Sequence, residues 1–349
     1  MTLYIKPYTS DINAQWDQFV IEQGAPVYLL TGWKTIIEKS FGHNCYYFYV
    51  VDANNQWQGI LPLVQQKSAL FGNYLTSVPF FNYGGVCAKT VEAEQMLVQK
   101  AVDLQQSLNA KHVELRHSLS SENNPLLEQD RCRTDKITML LDLPDEPEAL
   151  WKAIGSKRRA QVKRPIREGA HFKIGKQELL QDFYDVFARN MRDLGTPVYN
   201  KNFFNNILKQ FPEKVSIAMA YVNDQPAGAG FLVDHNGIRE IPWASTVRDY
   251  NRIGINMFLY WNILSHSIES GLKTFDFGRS SKDAGTLKFK KQWGAQPTQL
   301  YWYYLLNNNQ ALPQLNHSNR KYQMLIQAWQ KLPVSVANVI GPHIIKHLP

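Results

Sequence analysis

Three apolar runs, KVSIAMAYVND, QPAGAGFLVDH and GIREIPWAST, follow one another with only the turn sequences NDQP and HNG between them. This spacing constrains the fold more than any other feature of the chain. Runs rich in β-branched and aromatic residues, joined by tight turns, form an antiparallel meander. Directly after them Met257, Tyr260, Trp261, Leu264 and Ile268 recur at helical spacing over Asn256–Ser270, and Gly271 is placed to end the helix. KTFDFG then reads as a further strand. A meander, a helix and a returning strand together predict an α/β unit.

The residues before this unit show a similar order of elements. Leu3–Tyr8 reads as a strand and Ile12–Glu22 as a helix; CYYFYVVD and WQGILPLVQQ form a hairpin across NNQ. A glycine-rich aromatic loop, VPFFNYGGV, leads to a helix from Val91 to Leu108, and KHVELRHS closes the set as a strand. SSENNPLLEQDR is a polar exit. The second set opens with the strand ITMLLDL and a helix over PDEPEALWKAIGSKRRAQVKR, whose acidic start and basic end suit the helix dipole. Pro165 predicts a kink or an end there. Leu179–Leu194 is a helix with Phe183, Val186, Phe187, Asn190 and Met191 on one stripe, and QLYWYYLL is a last strand. The expected domains are therefore 1–134, 135–310 and a helical tail, 311–349, built as mostly antiparallel mixed sheets flanked by helices.

With 349 residues, two domains are the natural expectation. A formal charge of +8 favours anionic partners: phosphates, nucleic acid or an anionic membrane surface. Cys45, Cys87 and Cys132 have no close spacing and read as reduced thiols. No secretory leader and no apolar run of membrane-spanning length is evident, so a cytoplasmic protein is expected. The tail KLPVSVANVIGPHIIKHLP is apolar with basic residues at its end, and either packs on the body or makes a peripheral contact at the inner membrane.

No GxSxG elbow, HExxH, CxxC or phosphate-binding P-loop pattern occurs, and the nine histidines lack metal-ligand spacing, so no metal site is expected. What remains is FDFGRSSKDAGTLKFKKQWGA. Strand alternation places Phe275 and Phe277 on one face and Asp276 on the other, with Arg279 beyond the strand end. If TLKFKKQWG is extended, Leu287 and Phe289 anchor it and leave Lys288 and Lys290 opposite. Lysines beside an aromatic surface can neutralise a phosphate or a developing oxyanion, or simply form a solvated basic turn. In KAIGSKRRAQVKR, Arg159 and Lys163 lie at i, i+4 and share a face that either tracks phosphates or is solvated. Ser245, Thr246, Arg248, Tyr250 and Arg252 precede a helix N-terminus, a natural anion site.

Taken in order, SKRRAQVKRPIREG, RNMRDLGTPVY, PWASTVRDYNR and the DFG–loop–FK–W-G segment resemble the FemAB-related acyltransferases of the GNAT superfamily. The tail resembles members associated with exosortases and exopolysaccharide clusters. The resemblance spans roughly 137–345 and implies two tandem GNAT-like domains. It implies transfer of an acyl or aminoacyl group from aminoacyl-tRNA or acyl-CoA, with no permanently bound cofactor, to an amine of a cell-envelope or exopolysaccharide precursor. On that likeness Phe289 and Lys290 match the family's FK pair, and Trp293–Gly294 the aromatic–glycine that follows. Lys290 is then expected to stabilise the oxyanion or a phosphate, Arg279 and Lys288 to hold anionic substrate, and Asp276 to relay a proton or orient Arg279. Tyr199 and Trp243 are expected to line the acceptor pocket. Two departures are visible: no long coiled-coil insertion, and Pro165 inside the basic helix. A catalytically silent GNAT-like module that binds RNA, lipid or a glycan-assembly partner is the competing reading.

Overall fold

The computed structural model describes residues 2–68, 71–121, 123–281, 285–307, 311–313 and 320–348. It divides into two units, 1–137 with 299–315 and 346–349, and 138–298 with 316–345.

The sheet of the first unit runs Leu3–Pro7, Asn44–Asp52, Trp57–Ser68, Gly72–Thr76, His112–His117, Tyr301–Leu306 and Cys132–Arg133. Its neighbours are antiparallel except for Gly72–Thr76 beside His112–His117, a parallel pair that needs a crossover and receives the helix Val91–Ser107. Leu97, Val98 and Ala101 of that helix bury against Leu61, Leu63, Leu75, Val113 and Leu115 of the sheet.

In the second unit the sheet runs Ser280–Ser281, Lys136–Asp142, Thr274–Asp276, Ile238–Thr246, Gln225–His235, Val215–Val222 and Ala170–Gly175. The three-strand meander expected from the turns NDQP and HNG is present, with Asn223, Asp224 and Asn236 in left-handed conformations at those turns. Its parallel pair is Ile238–Thr246 with Thr274–Asp276, and the helix Ile255–Glu269 makes the crossover. Each unit thus contains a parallel strand pair bridged by a helix inside a mostly antiparallel sheet.

Three expectations are corrected. QLYWYYLL does not belong with the second unit: Tyr301–Leu306 pairs with His112–His117 and Cys132–Arg133, and its Tyr303 and Leu305 fill the first unit's core. Nor is 311–349 a domain of its own. The helices Arg320–Gln330 and Val334–Ile345 pack on the helix Leu180–Leu194 in the second unit, and Lys346–Pro349 belongs to the first. Finally, the basic helix Gly155–Arg167 continues through Pro165 instead of stopping. The helix Gly32–Phe41, in the first unit, and the helix Lys201–Gln210, in the second, were not expected, although Trp33, Ile36 and Ile37 in one and Phe203, Phe204, Ile207 and Leu208 in the other recur at helical spacing and are buried.

Candidate functional site

The strand Thr274–Asp276 lies inside the second unit's sheet, between Ile238–Thr246 and Lys136–Asp142. Both faces are covered, so Phe275, Asp276 and Phe277 are all buried, and alternation does not send Asp276 to solvent. Its carboxylate accepts from Thr138 Oγ1 at 2.6 Å and from the Gly278 backbone N–H at 2.8 Å. The aspartate therefore folds its own strand end into a turn, the conformation that Asp favours when it bonds the backbone two residues on. Gly278, with φ of 72°, completes that turn.

The turn presents two carbonyls to Lys290. The segment expected as extended is instead a short helix, Gly285–Lys291, in which residues two apart do not share a face. Lys290 is buried while Lys288 is exposed. Lys290 Nζ donates to the Gly278 carbonyl at 2.7 Å and to the Arg279 carbonyl at 3.0 Å. Burial pushes the ammonium down to about 8, against the opposing pull of the Asp276 and Glu240 carboxylates. It stays mostly charged at neutral pH, and an ammonium has three N–H donors, so one remains beyond the two backbone bonds. Phe289 sits edge-on to Tyr260, at 5.0 Å between ring centroids, and Tyr260 stacks on Phe277. Trp293 is buried behind Phe289. These rings fix the helix that carries the lysine.

Lys290 opens into a cavity of about 380 Å³ whose walls include Asn190, Ser245, Asn256, Tyr260 and Thr286. A second cavity, of about 450 Å³, is lined by Gln161, Arg164, Arg252 and Gly254. Both are lined by Thr246, Asn256 and Phe289, so they adjoin as neighbouring parts of a groove, with Lys290 at one end and two arginines at the other. That far end also holds the N-terminus of Ile255–Glu269, where the first backbone N–H groups have no intrahelical acceptor. Gly254 turns the chain into this helix with φ of 87°, and a Cβ there would meet the Gln161 carbonyl oxygen at 3.0 Å. Pro165 has no N–H to offer Gln161 four residues earlier, which leaves that carbonyl outside the helix ladder.

The other expected residues are distributed differently. Ser245 lines the cavity and accepts from Asn190 Nδ2 at 3.0 Å. Arg159 donates to the carbonyls of Trp151 and Lys152 and closes the end of the helix Pro147–Ala153, while Lys163 lies over the Trp151 ring. Tyr199 and Trp243 are not pocket walls: both are buried in an aromatic cluster with Phe203 and Phe204. Arg248 and Arg279 are exposed, and neither lines the groove; Arg279 contributes its carbonyl to Lys290. Asn190, Arg164, Asn256 and Tyr260 were missed as site residues. For Asn190 a signal existed: it is the polar member of the apolar stripe on Leu180–Leu194.

The first unit has its own cavity, of about 400 Å³, beside His117. The Val86 N–H donates to His117 Nε2, so Nδ1 carries the proton toward Ser121 Oγ at 3.0 Å, and Ser121 donates to Glu94 at 2.6 Å. Burial pushes His117 down to about 4. This is a neutral, fully partnered chain, and it reads as a structural tie between loop and helix.

Residues 156–291 match the family model described as an acetyltransferase (GNAT) domain. Among solved structures, FemX superposes with a TM-score of 0.64 at 13% identity, covering 95% of this chain and 100% of FemX. A C-terminal domain (DUF2156) assigned to a lysylphosphatidylglycerol synthetase of Agrobacterium fabrum gives 0.56 at 12% identity, covering 86% and 92%. A tandem GNAT protein from the clavulanic acid biosynthesis pathway gives 0.53 at 11% identity, covering 87% and 98%. No curated protein matches the chain in sequence. Among the described residues no helix is long and apolar enough to cross a membrane.

Proposed function

We propose that this chain, a GNAT acyltransferase with the fold of FemX, passes an acyl or aminoacyl group directly from a phosphate-bearing donor to an amine of a cell-envelope or exopolysaccharide precursor. The observation that carries this reading is the groove joining an anion-attracting end, at Arg164, Arg252 and a helix N-terminus, to a buried, partly desolvated lysine.

The donor, aminoacyl-tRNA or acyl-CoA, lays its phosphate near the arginines and its ester or thioester carbonyl beside Lys290. The neutral acceptor amine attacks that carbonyl carbon. A C–N bond forms, the carbonyl oxygen becomes an oxyanion, and the C–O or C–S bond to the carrier then breaks. The attacking nitrogen loses a proton and the departing oxygen or sulfur gains one. Lys290 faces the oxyanion with the donor left over from its two backbone bonds, in a site where low polarity strengthens the interaction. Asp276 acts through the turn it folds, by fixing the Gly278 carbonyl, and is a positioning residue rather than a proton carrier. Asn190, Ser245 and Asn256 supply neutral hydrogen-bonding groups for the acceptor. No covalent intermediate is needed, and the three cysteines all lie in the first unit.

Incubating the purified protein with a panel of acyl-CoAs and charged tRNAs, together with an extract of envelope precursors, tests this. Loss of the acyl group from one donor class with its appearance on an amine supports the reading. No transfer from any donor, with salt-sensitive RNA or lipid binding in its place, would give the silent module instead.

A further inference from the structure

The helix Val334–Ile345 is apolar around most of its circumference, a pattern that normally belongs to a buried helix. Only one side is covered. Ala337, Gly341 and Ile345 are buried, and Gly341 approaches the backbone at Val198 too closely for a side chain. On the opposite stripe, at i, i+3 and i+4, Val336, Val339 and Ile340 are exposed, Val339 by 69%. The preceding helix Arg320–Gln330 repeats the arrangement. Ile326 packs against Gly195, while Met324 and Leu325 are 62% and 68% exposed. Both helices are held at the end of Leu180–Leu194: Arg192 donates to the Leu332 carbonyl between them, and Gln330 to the Asp193 carbonyl. They are therefore fixed on one body of the protein with apolar side chains facing water.

The charge of the chain is concentrated in the same part of the sequence. From Ala284 onward there is no Asp or Glu, and seven of the 38 Lys and Arg residues fall there, which leaves 31 against 30 acidic residues in the rest. Four of the seven, Arg320, Lys321, Lys331 and Lys346, accompany the two helices and their ends. A second copy would bring its own net positive segment to this face, so two copies would repel each other. Nucleic acid would match the charge but not the exposed valine, isoleucine, leucine and methionine. An interface that is apolar at depth and anionic at its surface matches both.

We propose that the two helices dock this protein on the surface of a bilayer containing anionic lipids, with Leu325, Val339 and Ile340 entering the headgroup–acyl boundary and the basic residues of this segment meeting lipid phosphates. The contact is peripheral and independent of the acyl-transfer assignment, since none of these residues lines the groove.

The experiment is co-sedimentation of the full chain with vesicles of phosphatidylethanolamine and phosphatidylglycerol, beside vesicles of phosphatidylcholine alone. The protein is expected to pellet with the anionic vesicles and to be released by salt. Val339→Asp with Leu325→Asp is expected to weaken binding by about tenfold or more, without lowering Tm, because these side chains are 69% and 68% exposed. Lys321→Gln with Lys331→Gln is expected to remove the preference for anionic lipid. Wild-type protein that stays in the supernatant, or an aspartate variant that binds as wild type does, overturns the proposal. So does a wild-type dimer that ignores vesicles and becomes monomeric in the aspartate variant, which would make this face a contact between copies.

Discussion

Lys290 Nζ lies 2.7 Å from the carbonyl oxygen of Gly278, the residue whose own N–H is held by Asp276. One carboxylate thereby sets the position of the lysine through two backbone atoms. The lysine pays for its burial with a lowered proton affinity, and the chemistry assigned to the site depends on that balance.

The first prediction concerns pH. In the proposed reaction the ammonium form of Lys290 is the one that faces the oxyanion, and it is lost as pH rises through about 8. Transfer is therefore expected to fall on the alkaline side with a midpoint near 8, while the need for a neutral acceptor amine produces the acidic limb. Stability moves the opposite way. Between about 8 and the ordinary lysine value the unfolded chain binds more protons than the folded one, so stability rises with pH in that window. Rate profiles and urea midpoints across pH 7 to 10 check both signs.

Asp276→Asn keeps an oxygen for Thr138 and Gly278 but removes the charge that most strongly supports the Lys290 ammonium. The alkaline limb is expected to move to lower pH. A variant with reduced rate but an unmoved limb would mean that Asp276 acts on something other than Lys290. Asp276→Ala also strands two buried donors and is expected to cost about 1–3 kcal/mol of stability for each unsatisfied group.

At the far end of the groove, Arg164→Gln and Arg252→Gln are expected to raise KM for the donor by roughly five- to tenfold each and leave kcat nearly unchanged, because in the proposed reaction they meet a phosphate that does not change charge. Steady-state kinetics separates the two parameters.

Gly254→Ala is expected to destabilise the protein by about 1–3 kcal/mol, since the position has a left-handed backbone and a Cβ there presses on the Gln161 carbonyl. Donor affinity should fall with it, because the same glycine sets the N–H groups at the helix start. Thermal melts with and without donor report the two effects.

His117 supplies a test in the first unit. Its imidazole is held neutral down to about 4, below its ordinary value of 6.5. Between those values the unfolded chain takes up the extra proton, so this group's contribution is full above 6.5 and is lost as pH falls toward 4. His117→Gln is expected to lower stability at neutral pH and to flatten the acid side of the stability profile; an unchanged slope contradicts the assignment.

Much of this arrangement was legible in the residues. Turn chemistry at NDQP and HNG, and the periodicity after Asn256, located the meander and its crossover helix, because those signals are local. The pairing of FDFG with Lys290 was also visible, through likeness to the FK segment. What escaped were long-range choices. Tyr301–Leu306 follows the second unit in sequence but completes the first unit's sheet, and no local pattern tells a strand which sheet to join. TLKFKK has apolar residues two apart and looks extended, yet tertiary packing of Phe289 on Tyr260 makes it a helical turn. Tyr199 and Trp243 looked like pocket walls because aromatic residues suit both cores and pockets; burial alone separates the two.

On the proposed mechanism the Lys290 ammonium stabilises the transition state of acyl transfer. The most direct test is Lys290→Met, which keeps an unbranched side chain in the buried site and removes the charge. Once a donor is identified, single-turnover transfer is expected to slow by about 10²–10³-fold, with donor binding nearly intact and Tm lowered, because the Gly278 and Arg279 carbonyls lose their donor. Transfer at the wild-type rate in a folded Lys290→Met protein would contradict it.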